Sequence, residues 1–111
     1  MAEIKGTKKP LPEGPVAGYT VSWAGMGAGD TGDWVSYPHY PQKTVTIEGD
    51  PVKMWLEGRN LPDDAAIHTL VDERGIPITR PGIYRLTVNP LQLRPVVEAG
   101  EGVTVTILVS L

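Results

Sequence analysis

The segment 103–111 reads Val-Thr-Val-Thr-Ile-Leu-Val-Ser-Leu, and it constrains the fold more than any other stretch. Val103, Val105, Ile107, Val109 and Leu111 hold every second position, the repeat that sends side chains to one face of a β-strand. The same period of two marks Tyr19, Val21 and Trp23, then Val45 and Ile47, then Val52, Met54 and Leu56. No window sustains a helical repeat over three turns, and the nearest, 62–70, has β-branched neighbours that favour strand. Further strands are expected at 66–71 and 82–89, with a short one at 76–78 broken by Pro77. The segment 91–97 holds Pro95, which cannot donate to a ladder, so it reads as an edge or bulged strand.

Thirteen glycines and eleven prolines punctuate these runs. That is about twice the usual combined share, and its spread argues for turns between many strands rather than for disorder. The expected fold is all-β: a single-domain β-sandwich, jelly-roll or immunoglobulin-like, of roughly seven to eight short strands. The sandwich is expected over 18–111, behind an extended Pro- and Lys-rich N-terminal arm at 1–17. A chain of 111 residues suits one domain.

Composition excludes several kinds of chemistry. There is no cysteine, which removes disulfides, thiolate metal sites and cysteine nucleophiles, and suits a reducing cytoplasm. The net charge is −3, and the arm's cations are few, so nucleic acid is not an expected partner. No stretch reaches the roughly 20 apolar residues of a membrane span, and the first residues lack the apolar core of a secretory signal. His39 and His68 are the only histidines, and no serine sits in a nucleophile elbow, so no catalytic residue is assigned.

The loop 25–33 contains four glycines with Asp30 and Asp33. It lacks the Gly-Lys-Ser/Thr ending of a phosphate cradle and the ligand spacing of a calcium loop. Its aspartates read best as turn formers that accept local backbone N–H groups. No metal or other cofactor is expected. Arg94 is expected to pair with a buried carboxylate. The segment 34–40 gathers Trp34, Tyr37 and Tyr40 between prolines, a composition that lines a core, anchors a protein partner or stacks on sugar rings. The outer row of the final strand, Thr104, Thr106, Leu108 and Ser110, carries no charge. If that strand lies at an edge, it invites pairing with another chain.

The stretch Gly29-Asp30-Thr31-Gly32-Asp33-Trp34-Val35, followed by Tyr40-Pro41-Gln42-Lys43-Thr44-Val45-Thr46-Ile47-Glu48-Gly49, resembles small virion proteins of tailed bacteriophages. So does Leu93-Arg94-Pro95-Val96-Val97-Glu98-Ala99-Gly100 with the alternating segment after it. Such proteins are similar to capsid decoration, or cement, proteins. The resemblance covers most of 19–111 and leaves out the arm. It departs after Leu56-Glu57-Gly58, where Arg59-Asn60-Leu61-Pro62 replaces the family's Ser-Asn-Asp-Gly and implies a different contact surface.

The resemblance implies a non-enzymatic protein made in the host cytoplasm and carried on the outer capsid surface of the virion. Its partner would be the major capsid protein, bridged across subunits, with a homo-oligomer, and a trimer in particular, favoured by local threefold positions. The arm residues Lys5, Lys8, Lys9, Pro10, Leu11 and Pro12 are the first candidates for shell contact. Asp30, Trp34, Tyr37 and Tyr40 are the second. Two other classes compete. A carbohydrate-binding or tail-associated module would use Trp34, Tyr37, Tyr40 and Trp55. A small cupin-like jelly-roll enzyme would gather several histidines and carboxylates on a metal, against which stand two distant histidines and no His-x-His pair.

Overall fold

Two sheets face each other across an apolar core. The computed structural model describes residues 2–12, 14, 17–36, 42–49, 51–60, 68–70, 78–86 and 91–110. In chain order the strands are β1 (Glu3–Ile4), β2 (Thr7–Pro10), β3 (Gly18–Met26), β4 (Thr31–Gly32), β5 (Val35–Ser36), β6 (Gln42–Glu48), β7 (Val52–Arg59), β8 (His68–Leu70), β9 (Gly82–Leu86), β10 (Gln92–Gly100) and β11 (Val103–Ser110). One sheet runs β1-β4-β10-β7-β8, with β5 also on β10; the other runs β2-β3-β11-β6-β9.

Alternation decides what lies inside. Val103, Val105, Ile107 and Val109 of β11 are fully buried, and they meet Trp23, Met26, Met54, Leu93 and Val97 at zero exposure. Burying side chains of this size contributes about 1.5–3 kcal/mol each relative to leaving them in water. Lys43 is the buried charged residue of this layer, among the described residues. Desolvation holds its ammonium below the ordinary lysine pKa.

Two alternatives left open by the sequence are decided, and one count is corrected. β11 is not an edge: it pairs with β3 on one side and β6 on the other. Its uncharged outer row therefore lies in mid-sheet, where Ser22 and Thr106 share a hydrogen bond of 2.9 Å. The strand containing Pro95 is not an edge either. β10 pairs along its length with β7, and its other flank meets β5 at Gln92 and Leu93 and β4 at Val96. Pro95 falls in the gap between those two short strands, so the missing N–H interrupts no ladder there. The expected bulge exists, but later, between Val97 and Ala99. Finally, eleven strands among the described residues replace the seven to eight expected. The excess is β1 and β2 in the arm and β4 and β5 beside the glycine loop. β2, β4 and β5 are paired by longer neighbours, and β1 by the equally short β4, rather than by any pattern of their own.

Candidate partner-binding surfaces

The arm crosses from one sheet to the other. β1 lies parallel to β4, and β2 lies antiparallel to β3 with Thr7 opposite Ser22 and Pro10 opposite Tyr19. Gly6 makes the crossing. A Cβ there would stand 2.6 Å from Val21 Cγ1 and 2.9 Å from Trp23 Nε1, so only glycine passes this close.

Two loop carboxylates receive the arm. Asp33 Oδ1 accepts from Gly6 N at 2.9 Å and from Trp23 Nε1 at 2.7 Å. Asp30 Oδ1 accepts from Ala2 N at 3.0 Å, while its Oδ2 accepts from Gly27 N at 2.8 Å within its own turn. The turn-forming reading of Asp30 thus holds in part, and both aspartates also tie down distant backbone. Backbone bonds complete the seat, from Thr31 N to the Ala2 carbonyl and from Asp33 N to the Ile4 carbonyl.

Docked through one side of its β2 backbone, the arm leaves most of its side chains exposed. Lys5, Lys8, Lys9, Pro10 and Pro12 are exposed, and Leu11 is half-buried. Lys8 Nζ rests 4.1 Å above the Tyr19 ring. Lys8 stands opposite buried Val21 and Lys9 opposite Thr20, so these two exposed cations project to opposite faces of the strand.

Trp34 belongs to a second surface, the outer face of the β7–β10 pair. Register places Arg94 opposite Glu57 and Gln92 opposite Arg59. Glu57 Oε1 accepts from Arg94 Nε at 2.8 Å and Nη2 at 2.7 Å, with both side chains about one-fifth exposed. Arg94 thus meets a carboxylate, as expected, and that carboxylate is Glu57. Arg59 Nε donates to Gln92 Oε1 at 2.7 Å, and Gln92 Nε2 donates to Ser36 Oγ at 3.1 Å. The Trp34 ring lies over both guanidiniums, at 4.2 Å from Arg59 and 4.5 Å from Arg94. Trp55 stands half-buried on the same face.

The candidate residues therefore divide. The arm and Asp30 come together, and Trp34 stands apart on the outer face of the β7–β10 pair. Tyr37 and Tyr40 lie outside the described residues. Glu57, Arg59 and Gln92 were not singled out from the sequence. The signal was present, because Trp55, Glu57 and Arg59 share one parity in β7 and Gln92 and Arg94 share one in β10. Only the pairing of the two strands brings these rows together. Among the described residues, no group of three or more His, Asp or Glu side chains could hold a metal ion. No helix among them is long and apolar enough to cross a membrane.

Comparison with known proteins adds the fold. No family model matches the chain, and no curated protein matches it. Solved structures do. A cupin domain from Bordetella pertussis Tohama I is 14% identical with a TM-score of 0.52, covering 100% of this chain and 99% of its own. The SPBc2 prophage-derived protein YomS is 15% identical with a TM-score of 0.57, covering 81% of this chain and 91% of its own. An RmlC-like cupin from Desulfovibrio desulfuricans is 15% identical with a TM-score of 0.52, covering 96% and 82%. At these identities the likeness is one of fold. It selects the jelly-roll-like arrangement over the immunoglobulin-like one.

Proposed function

We propose that this chain is a non-enzymatic structural protein of a tailed-phage virion, which binds the outer surface of the capsid shell and bridges neighbouring copies of the major capsid protein. The observation that carries the reading is the arm. It docks through its backbone on both sheets and leaves Lys5, Lys8 and Lys9 exposed along the β2 edge. A run of exposed cations along an edge suits a broad, acidic protein surface better than a small molecule. The prophage origin of one fold neighbour is in keeping with it.

The mechanism is linkage. A protein that binds only the assembled shell stabilises that state in proportion to its occupancy. Many weak copies on a symmetric lattice, each touching two subunits, oppose their separation through avidity. The test is binding to shells stripped of the protein. Reversing Lys5, Lys8 and Lys9 to glutamate alters exposed side chains without touching the ladder. Loss of shell binding with an unchanged circular dichroism spectrum is expected, and full occupancy by the variant would refute the arm as the contact.

A second reading has its own observation. Trp34 and Trp55 share one outer face with Gln92, Glu57 and two arginines, the mixture of ring and planar donors that holds a sugar. Under that reading Trp34→Ala abolishes signal on a glycan array and leaves shell binding intact.

A further inference from the structure

The four strands that end the two sheets are not alike. β1 has two residues and β8 three. β2 has four, Thr-Lys-Lys-Pro, all exposed. Short length, lysine and proline are the features that keep an edge from pairing with another chain. β9 carries one charge, Arg85, and neither lysine, proline nor very short length. Its five residues, Gly-Ile-Tyr-Arg-Leu, form the longest terminal strand and are rich in strand-favouring side chains. It pairs with β6 on one side, and its other side has no strand among the described residues. Ile83 is 74% exposed, and among the described residues it is the exposed large hydrophobic side chain. Beside it an open groove of about 530 Å³ runs along the outer face, lined by Gln42, Thr44, Arg85, Leu108 and Ser110 among others.

We infer that β9 is a self-association edge, and that its occupant is β9 of a second copy, laid antiparallel across a two-fold axis at Tyr84. That is the two-fold register in which all five residues pair. Gly82 then faces Leu86, Ile83 faces Arg85, and Tyr84 faces its own counterpart. The pattern is self-complementary, as an isologous interface requires. The glycine stands opposite the large leucine, and the two arginines avoid each other because each faces an isoleucine. Ile83 and Arg85 share the outer face with Thr44 and Thr46, their register partners in β6. The side chains of the second copy therefore project on the same side as the groove. Pairing joins the two five-stranded sheets into one. This makes a dimer the unit of association, in place of the trimer expected above, and it does not depend on the shell reading.

The test is light scattering with a charge reversal and its rescue. Wild-type protein is expected as a dimer. Ile83→Lys sets a lysine against Arg85 of the second copy and weakens dimerisation roughly tenfold or more. Adding Arg85→Glu to the same chain turns that clash into an ion pair and restores the dimer. A cysteine-free background allows a second measurement. Ile83→Cys chains mixed with Arg85→Cys chains cross-link on oxidation, while either alone does so far less. A monomer at every concentration overturns the inference. So does a dimer indifferent to Ile83→Lys, or one whose mixed cysteines fail to link.

Discussion

Replacing Asp33 by alanine tests whether one carboxylate locks the arm to the core. Its Oδ1 serves two donors, Gly6 N and Trp23 Nε1, and the tryptophan is fully buried. Alanine leaves that indole N–H without an acceptor, at about 1–3 kcal/mol for an unsatisfied buried donor. The Gly6 amide sits nearer the surface and can recover water, so its loss adds only about 0.5–1.5 kcal/mol. The sum, about 1.5–4.5 kcal/mol, is a large part of the roughly 5–15 kcal/mol that holds a domain together. Asp30→Ala is the matched control from the same loop. Its acceptors serve Ala2 N, which is exposed, and a local turn amide, so about 1 kcal/mol or less is expected. Asp33→Asn keeps an acceptor oxygen without the charge and should fall between the two. Urea unfolding followed by tryptophan fluorescence measures all three, and hydrogen exchange at Lys8 and Lys9 reads the arm directly. If Asp33→Ala costs no more than Asp30→Ala, the lock does not exist.

Three further outcomes are expected. Lys43 has a depressed pKa in the fold, so the unfolded chain binds more protons between that value and 10.5. Stability conferred at this position therefore rises with pH through that window, and any advantage of Lys43→Met shrinks from neutral pH towards 10.5 in paired urea melts. The Glu57–Arg94 pair is only about one-fifth exposed, so a double-mutant cycle to alanine should return about 1–2 kcal/mol of coupling. The Lys53–Glu98 pair at 3.0 Å, with half-exposed side chains, should return under about 1 kcal/mol in the same assay. Gly32→Ala would place a Cβ 2.5 Å from Pro95 Cδ and 2.8 Å from Trp23 Nε1, and calorimetry should register about 1–3 kcal/mol of overpacking.

Legibility followed burial. β3, β6, β7 and β11 each bury one face, so apolar residues must recur at every second position, and each was readable to within a few residues. β2 was not readable, because Thr-Lys-Lys-Pro buries nothing and is a strand only through the β3 backbone beside it. Pro95 misled because its fit depends on a gap between β4 and β5, a property of the partners and not of β10. The site divides in the same way. The lysine-rich arm and Trp34 stood out by composition, and Arg94 by its chemistry. The company that Trp34 keeps depends on which strand lies beside which. The role of Asp33 depends on a glycine 27 residues away, a separation that no local pattern encodes.

The position of β11 sets the order in which the molecule can be built during translation. β3 and β6 never touch each other in the sheet order; each waits for the strand between them. Until residue 110 has left the ribosome, Trp23 and Val45 border an open slot rather than an interior. The sandwich therefore closes late, through contacts between segments far apart in the chain, which is the slow class of folding reaction. A nascent chain stalled before Val103 would expose two strand edges at once. Protease pulses on stalled chains of increasing length would show resistance arriving in a single step.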